Sequence, residues 1–320
     1  MTTETVTTEA VTTDAGTVAT TTRPAARWRA AGSCGDVVPV LAVAGAIIAL
    51  WYAGAVLLNA PLASNACSRQ DRSPTALGLV AATLAINRPV LPAPHQIAVE
   101  LWNSTALQPV TSRRSLVYHA WVTLSATLLG FAVGALSGIL LAAAIFHAAS
   151  LEKGLMPWLV ASQTIPIVAL APMIIVVLTA VHVTGLIPRA LISTCLSLVP
   201  VTVGVVTGLR SPDPVHLDLM RTCSASRWQT FLALRLPSAV PFLFASLKVA
   251  IAASLVGAIV GELPTGASAG LGARLLAGSY DGETVQIWAA LAAAAILAAA
   301  LLALAGAADR VVRRRMGTAR

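Results

Sequence analysis

The sequence predicts an all-α integral membrane protein with about six transmembrane helices. Three observations carry that prediction. Apolar residues fill 57% of the 320 positions and charged residues only 11%, well short of the quarter or so that a soluble surface needs. The mean hydropathy is +0.81. The apolar residues also gather in long blocks, and a block of about 20 crosses a hydrocarbon core of roughly 30 Å as a helix.

The elements follow in order. The first 22 residues are rich in Thr and show no apolar period, so residues 1–30 are expected to form a disordered tail. Arg23, Arg27 and Arg29 then precede the apolar block Val37–Leu58. The outline is that of a signal peptide, but the block is too long for its apolar region, and an uncleaved first span is expected. Residues 31–95 thus hold the first span and a long external segment punctuated by Pro61, Pro74, Pro89, Pro92 and Pro94. Within it Thr75–Ile86 is too short to cross and reads as re-entrant or interfacial. Residues 96–310 form the core domain, opening with a short surface helix at Ile97–Leu107. Its spans are Leu116–Phe146, Leu155–Val181, Ile187–Leu209, Ala239–Gly261 and Val285–Ala308. Residues 311–320 are a basic tail.

A net charge of +8 raises the question of nucleic acid. The Arg residues lie at block ends and in connections, with no basic face interleaved with aromatics, so the expected partner is the lipid bilayer and not nucleic acid. Arg23, Arg27, Arg29, Lys153, Arg210, Arg221, Arg227, Arg235 and the run Arg313, Arg314, Arg315 fall on one side of the membrane. Arg69, Arg72, Arg88, Arg113, Arg114, Arg189 and Arg274 fall on the other. The excess places both termini in the cytoplasm. Cys34, Cys67, Cys195 and Cys223 form no paired motif, so neither a disulfide framework nor a metal site is expected.

Three features bear on mechanism. Gly130, Gly134 and Gly138 repeat every four residues, as do Gly204 and Gly208, and Gly257 extends a similar row from Ala253. Such rows let helix backbones approach closely, either as a bundle that slides between two states or as static packing. The third span carries Pro157, Pro166 and Pro172. Each proline leaves a carbonyl without its helical donor, which in a membrane persists where backbone is buried in protein or lines a water-filled cavity. Gln163, Thr164 and Pro166, with Thr179 and Thr202, are therefore candidate pathway residues; a kinked packing helix is the other reading. Thirdly, Leu217, Met220, Ser224, Trp228 and Phe231 recur at intervals of three and four residues in the loop after Pro212 and Pro214. They predict one short helix with a single apolar stripe, lying on lipid or docking on a partner. Lys248 and Glu262 fall near span ends, where snorkelling is expected, and His119, His147 and His182 read as structural.

The stretch Asp218–Glu262 resembles the signature loop of binding-protein-dependent ABC importer permeases. That pattern runs Glu-Ala-Ala, three residues, Gly, about nine more, then Leu-Pro with a second Pro. Here the spacing to Leu236, Pro237 and Pro241 is kept, as is the run Ser226, Arg227, Trp228, Gln229, Thr230, Phe231. Asp218, Leu219 and Met220 replace the Glu-Ala-Ala, and Ser224 stands where Gly is usual. Ile165-Pro166 and Ala169-Leu170-Ala171-Pro172 look most like the nitrate, sulfonate and taurine branch, which also includes importers of pyrimidine-type vitamin precursors. The resemblance implies a type I ABC importer permease core in a bacterial cell membrane. Two permease copies, expected to be a homodimer, would form the pathway. Two ATPase subunits would dock on Asp218, Met220, Arg221, Ser224, Arg227, Trp228, Phe231 and Pro237, and an external binding protein would deliver the substrate. The permease itself would be no enzyme and hold no cofactor, ATP being used by the partner; the sequence carries no GxxxxGK[ST] motif. A stand-alone secondary transporter is the alternative, although no inverted repeat is visible between the halves.

Overall fold

A computed structural model describes residues 37–68, 76–264 and 269–316. The expected disordered tail with Arg23, Arg27 and Arg29 lies outside the described residues, as do Cys34, Arg69, Arg72 and residues 317–320. The chain divides into two units, residues 1–47 and 48–320. The described part of the first is the opening of α1 (Val37–Ser68), whose remaining turns belong to the second.

The helices then follow the apolar blocks. Two short helices, α2 (Ala76–Leu84) and α3 (Pro94–Trp102), occupy the long connection, and α3 runs into a π-helical turn at Asn103–Leu107. Next come α4 (Leu116–His147), α5 (Ala149–Ser162), α6 (Ile167–Ala180) and α7 (Leu186–Leu209). Two short helices, α8 (Pro214–Thr222) and α9 (Arg227–Thr230), lead through a second π-helical turn, Phe231–Arg235, into α10 (Leu236–Glu262). The chain closes with α11 (Leu271–Asp281) and α12 (Thr284–Arg315). Among the described residues five helices are long and apolar enough to cross a membrane, and the bent pair α5–α6 would make a sixth. The bend is 100°. Pro166 sits at the corner as the residue that caps α6, where its missing N–H breaks no helical bond.

The core is the packing of α7 between α4 and α10. A Cβ placed on Gly130 or Gly134 would strike Ser193 or Ser197 of α7, and one on Gly138 would press on Val201. On the other side Gly204 and Gly208 meet Ser246, Phe242 and Ala239 of α10, and Gly257 meets Ser193. Hydroxyl groups stitch these seams. The Ser254 hydroxyl donates to the Thr127 carbonyl at 3.0 Å, and Ser193 and Ser254 share a hydrogen bond of 2.9 Å. Lipid supplies no hydrophobic drive between helices, so close backbone contact and such bonds hold them together. Apolar side chains fill the rest: Ala142, Ile145, Val201 and Val205 are buried in one cluster, and Leu116, Leu271, Ala289 and Ala290 in another between α4, α11 and α12.

Two charged residues depart from expectation. Lys248 does not snorkel; its Nζ donates to Asp309 of α12 at 2.6 Å, and Arg313 Nε reaches the same carboxyl group at 2.5 Å. A charge inside a membrane is costly unless partnered, and Asp309 supplies the partner. Glu262 does not snorkel either, being fully buried.

Candidate functional site

The loop between α7 and α10 is built by local capping. Asp213 opens α8, its side chain accepting from Val215 N at 2.9 Å, with Pro214 at the first helical position. The expected single stripe from Leu217 to Phe231 is broken. Ser224 takes φ 53°, and two bonds close α8: Ser224 N to Arg221 O at 2.9 Å and Ala225 N to Met220 O at 3.0 Å. These are the 5→2 and 6→1 bonds of a Schellman motif, with Ser224 where glycine is usual. The chain then restarts at Ser226. Its hydroxyl accepts from Gln229 N at 3.2 Å, and Gln229 Oε1 accepts from Ser226 N at 2.8 Å. This capping box starts α9. The apolar period therefore continues across a turn that periodicity alone does not reveal.

The candidate docking residues separate into two sets. Trp228 is 62% exposed. Asp218, Arg221 and Arg227 are also exposed, Asp218 and Arg221 being paired at 2.9 Å. Met220 is half-buried, and Pro237 is exposed at the start of α10. Phe231 points the other way. Its ring lies 5.8 Å from Phe146 and 5.5 Å from His147, at the end of α4, and 5.7 Å from Trp228 on its outer side. Arg235 sits 5.0 Å over the Phe146 ring and donates to Leu209 O at 3.0 Å. Between α4 and the loop lies a cleft of about 680 Å³, lined by Phe146, His147, Leu217, Arg221, Trp228 and Phe231 among others. An aromatic pile thus connects an exposed indole to a long helix.

The candidate pathway residues are also divided. Gln163 lines a cavity of about 550 Å³ at the α5–α6 corner, bounded by α7 and α10. Thr164 and Pro166 are exposed at that corner, and Thr179 is exposed farther along α6, its hydroxyl donating to Ile175 O at 2.8 Å. Thr202 is fully buried in the α4–α7 seam, where its hydroxyl donates to Leu198 O at 2.8 Å and to Gly138 O at 3.3 Å. It packs α7 against α4.

At the opposite end of the bundle is a cluster that sequence reasoning missed. Three successive backbone N–H groups at the start of α11 each find a buried side chain. Gly270 N donates to His119 Nδ1 at 2.9 Å, Leu271 N to Thr123 Oγ1 at 2.9 Å, and Gly272 N to Glu262 Oε2 at 2.7 Å. Thr123 in turn donates to Glu262 Oε1 at 2.8 Å, and His119 Nε2 donates to Arg113 O at 2.9 Å. Gly270, at φ 129°, packs so closely on the Glu262 carboxyl group that no Cβ fits. First-turn donators of a helix have no partner within it; here α4 and α10 supply them. The one sequence signal was the Gly270-Leu271-Gly272 spacing after Glu262. Among the described residues no group of His, Cys, Asp or Glu could hold a metal ion.

Residues 134–318 match the family model described as the binding-protein-dependent transport system inner membrane component. The chain is 33% identical over 227 residues to the riboflavin transport system permease protein RibX of Chloroflexus aurantiacus, covering 70% of this chain and 80% of that protein. It is 32% identical over 199 residues to the formylaminopyrimidine transport permease protein ThiX of Halalkalibacterium halodurans, covering 61% and 74%. Similarity to the nitrate import permease protein NrtB of Synechococcus elongatus is lower, at 22% over 177 residues, covering 54% and 62%.

Proposed function

We propose, since this chain belongs to the binding-protein-dependent transport system inner membrane component family and is an ABC importer permease, that the α8–α9 loop is its socket for a partner ATPase. The observation that carries the proposal is Trp228, a large aromatic left 62% exposed at the tip of a capped loop and stacked 5.7 Å from Phe231. Exposed aromatics of this kind supply most of the energy of many protein contacts. Arg221 and Arg227 would set the orientation of docking, and the Phe231–Phe146 contact would pass its motion to α4. ATP would be used by the partner, and this chain would bind no cofactor.

The rest of the assembly follows the same reading. The distribution of basic residues supports a cytoplasmic loop and cytoplasmic termini; the α11 end would then lie outside, where a substrate-binding protein would deliver its load. A second copy of the chain would complete the pathway, with alternating access by rocking of the two bundles. The cargo would be a small nutrient, either nitrate-, sulfonate- or taurine-like or a pyrimidine-type vitamin precursor; the names of the relatives span both kinds.

Purification of the tagged chain in mild detergent, beside Trp228→Glu, tests the socket. An ATPase subunit is expected with the wild type and absent from the variant, with the variant's thermal midpoint unchanged. Wild type that purifies alone and moves solute in liposomes without ATP would overturn the reading in favour of a secondary transporter.

A further inference from the structure

The cavity of about 550 Å³ at the α5–α6 corner has the volume of a site for one small organic molecule. Its walls are unlike those of an anion site. Leu159, Ile165, Leu170, Leu196, Val199 and Val249 dominate them, and the polar side chains are limited to Ser162, Gln163 and Cys195. No charged residue lines it. The charges on the surrounding helices are engaged or placed elsewhere. On α5, Glu152 pairs with Arg210 beyond the end of α7, and Lys153 is exposed in the opening turns. On α7, Arg189 donates to Ala269 O at 3.3 Å. On α10, Lys248 is bound to Asp309 and Glu262 to Thr123 and Gly272. Helix α6 carries no charge.

What polarity the cavity has is slight and carries no charge. Pro200 and Leu196 both line it, and Pro200 has no N–H to return to the Leu196 carbonyl four residues before it. The amide of Gln163 adds one more carbonyl oxygen and the only N–H₂ group. An oxyanion leaving water needs several donors or a cation, and here it would meet aliphatic carbon, carbonyl oxygen and the one amide N–H₂ of Gln163. A flat ring bearing N–H donors loses little water-bonding and meets both the carbon and the carbonyl oxygen.

Resting on the permease reading above, we infer that this cavity is a way-station for a neutral nitrogen heterocycle with N–H donors, and that it rejects small oxyanions such as nitrate and sulfonates. Gln163 and the Leu196 carbonyl hold the ring edge, and the aliphatic walls hold its faces.

Cys195, a free thiol on the cavity wall, provides the native reporter. The assembled transporter, with its co-purified ATPase and with Cys34, Cys67 and Cys223 replaced by Ser, is treated with two methanethiosulfonates, one carrying an ethyl group and one a sulfonatoethyl group. Relative to a free thiol in solution, the ethyl reagent is expected to modify Cys195 at least tenfold faster than the sulfonate. The ethyl rate is expected to change severalfold between resting and ATP-turnover conditions. Gln163→Arg, which adds a cation at the corner, should raise the sulfonate rate severalfold. Equal rates for the two reagents overturn the inference about cargo. An ethyl rate that ignores ATP, with no effect of Gln163→Arg, marks a lipid-facing cleft and overturns the placement of the cavity in the pathway. Loss of the ATPase from the wild-type preparation would instead strike the permease reading itself, so the two failures are distinct.

Discussion

The Thr123 hydroxyl donates to Glu262 at 2.8 Å while accepting from Leu271 N at 2.9 Å, so one side chain of α4 ties the end of α10 to the start of α11. These residues are separated by 139 and 148 positions. Both partners are fully buried, and a buried donor or acceptor that loses its partner costs about 1–3 kcal/mol. Thr123→Val and Glu262→Ala should each lower stability by about that amount, read as a drop in the thermal midpoint in detergent. Their effects should be non-additive in a double-mutant cycle. Additive losses would show that the two groups do not act together.

The tight α4–α7 seam gives a second expectation. A Cβ on Gly134 meets the Ser197 hydroxyl and little else that can move. Gly134→Ala should destabilise by about 1–3 kcal/mol, the usual cost of overpacking. Adding Ser197→Ala removes the obstructing oxygen and should restore a good part of the loss, although the Thr194 carbonyl stays close at 3.0 Å. Thermal midpoints of the two variants and the pair decide the matter.

Ser224 yields a prediction of the opposite sign. Its φ of 53° is a left-handed conformation that costs a residue with a Cβ about 1 kcal/mol. Ser224→Gly should therefore raise stability slightly and slow proteolysis between α8 and α9. A faster cleavage would mean that freedom gained by the unfolded loop outweighs the relieved strain.

Trp228 and Phe231 should separate in their effects. Trp228→Ala touches an exposed ring and should leave the thermal midpoint within a degree or two while weakening capture of the ATPase. Phe231→Ala removes the ring packed on Phe146 and His147 and should lower the midpoint as well; a fully buried Phe→Ala costs about 3–5 kcal/mol, and this half-buried ring should cost less. Identical profiles for the two would contradict the inward and outward placement.

The spans were legible because nothing competes with a block of apolar residues in deciding what enters a membrane. Pro166 likewise announced the corner between α5 and α6. The loop was only half legible: Leu217, Met220, Trp228 and Phe231 keep helical spacing, and the Schellman turn at Ser224 interrupts the helix without interrupting the period. Thr202 looked like a pathway hydroxyl, yet a threonine in a membrane helix can satisfy itself on the carbonyl four residues back and pack against a neighbour. Lys248 and Glu262 were misread for one reason. Their partners Asp309 and Thr123 lie 61 and 139 positions away, a distance over which spacing carries no information.

The π-helical turn Phe231–Arg235 joins α9 to α10 without a break in the helical path, and a π turn holds one residue more than the α-helix around it. Removing that one residue would close the turn to an ordinary α-turn and keep the register, whereas removing a residue from α10 ahead of Ser254 would rotate everything that follows by about 100°. Ser254, Gly257 and Glu262 would then face away from α7, Thr127 and α11 together. The helix Leu236–Glu262 is thus a segment whose length cannot drift, and the π turn before it is where one residue can be absorbed. Insertions and deletions among descendants of this chain should collect instead in connections such as residues 85–93, between α2 and α3, where a change in length turns no helix.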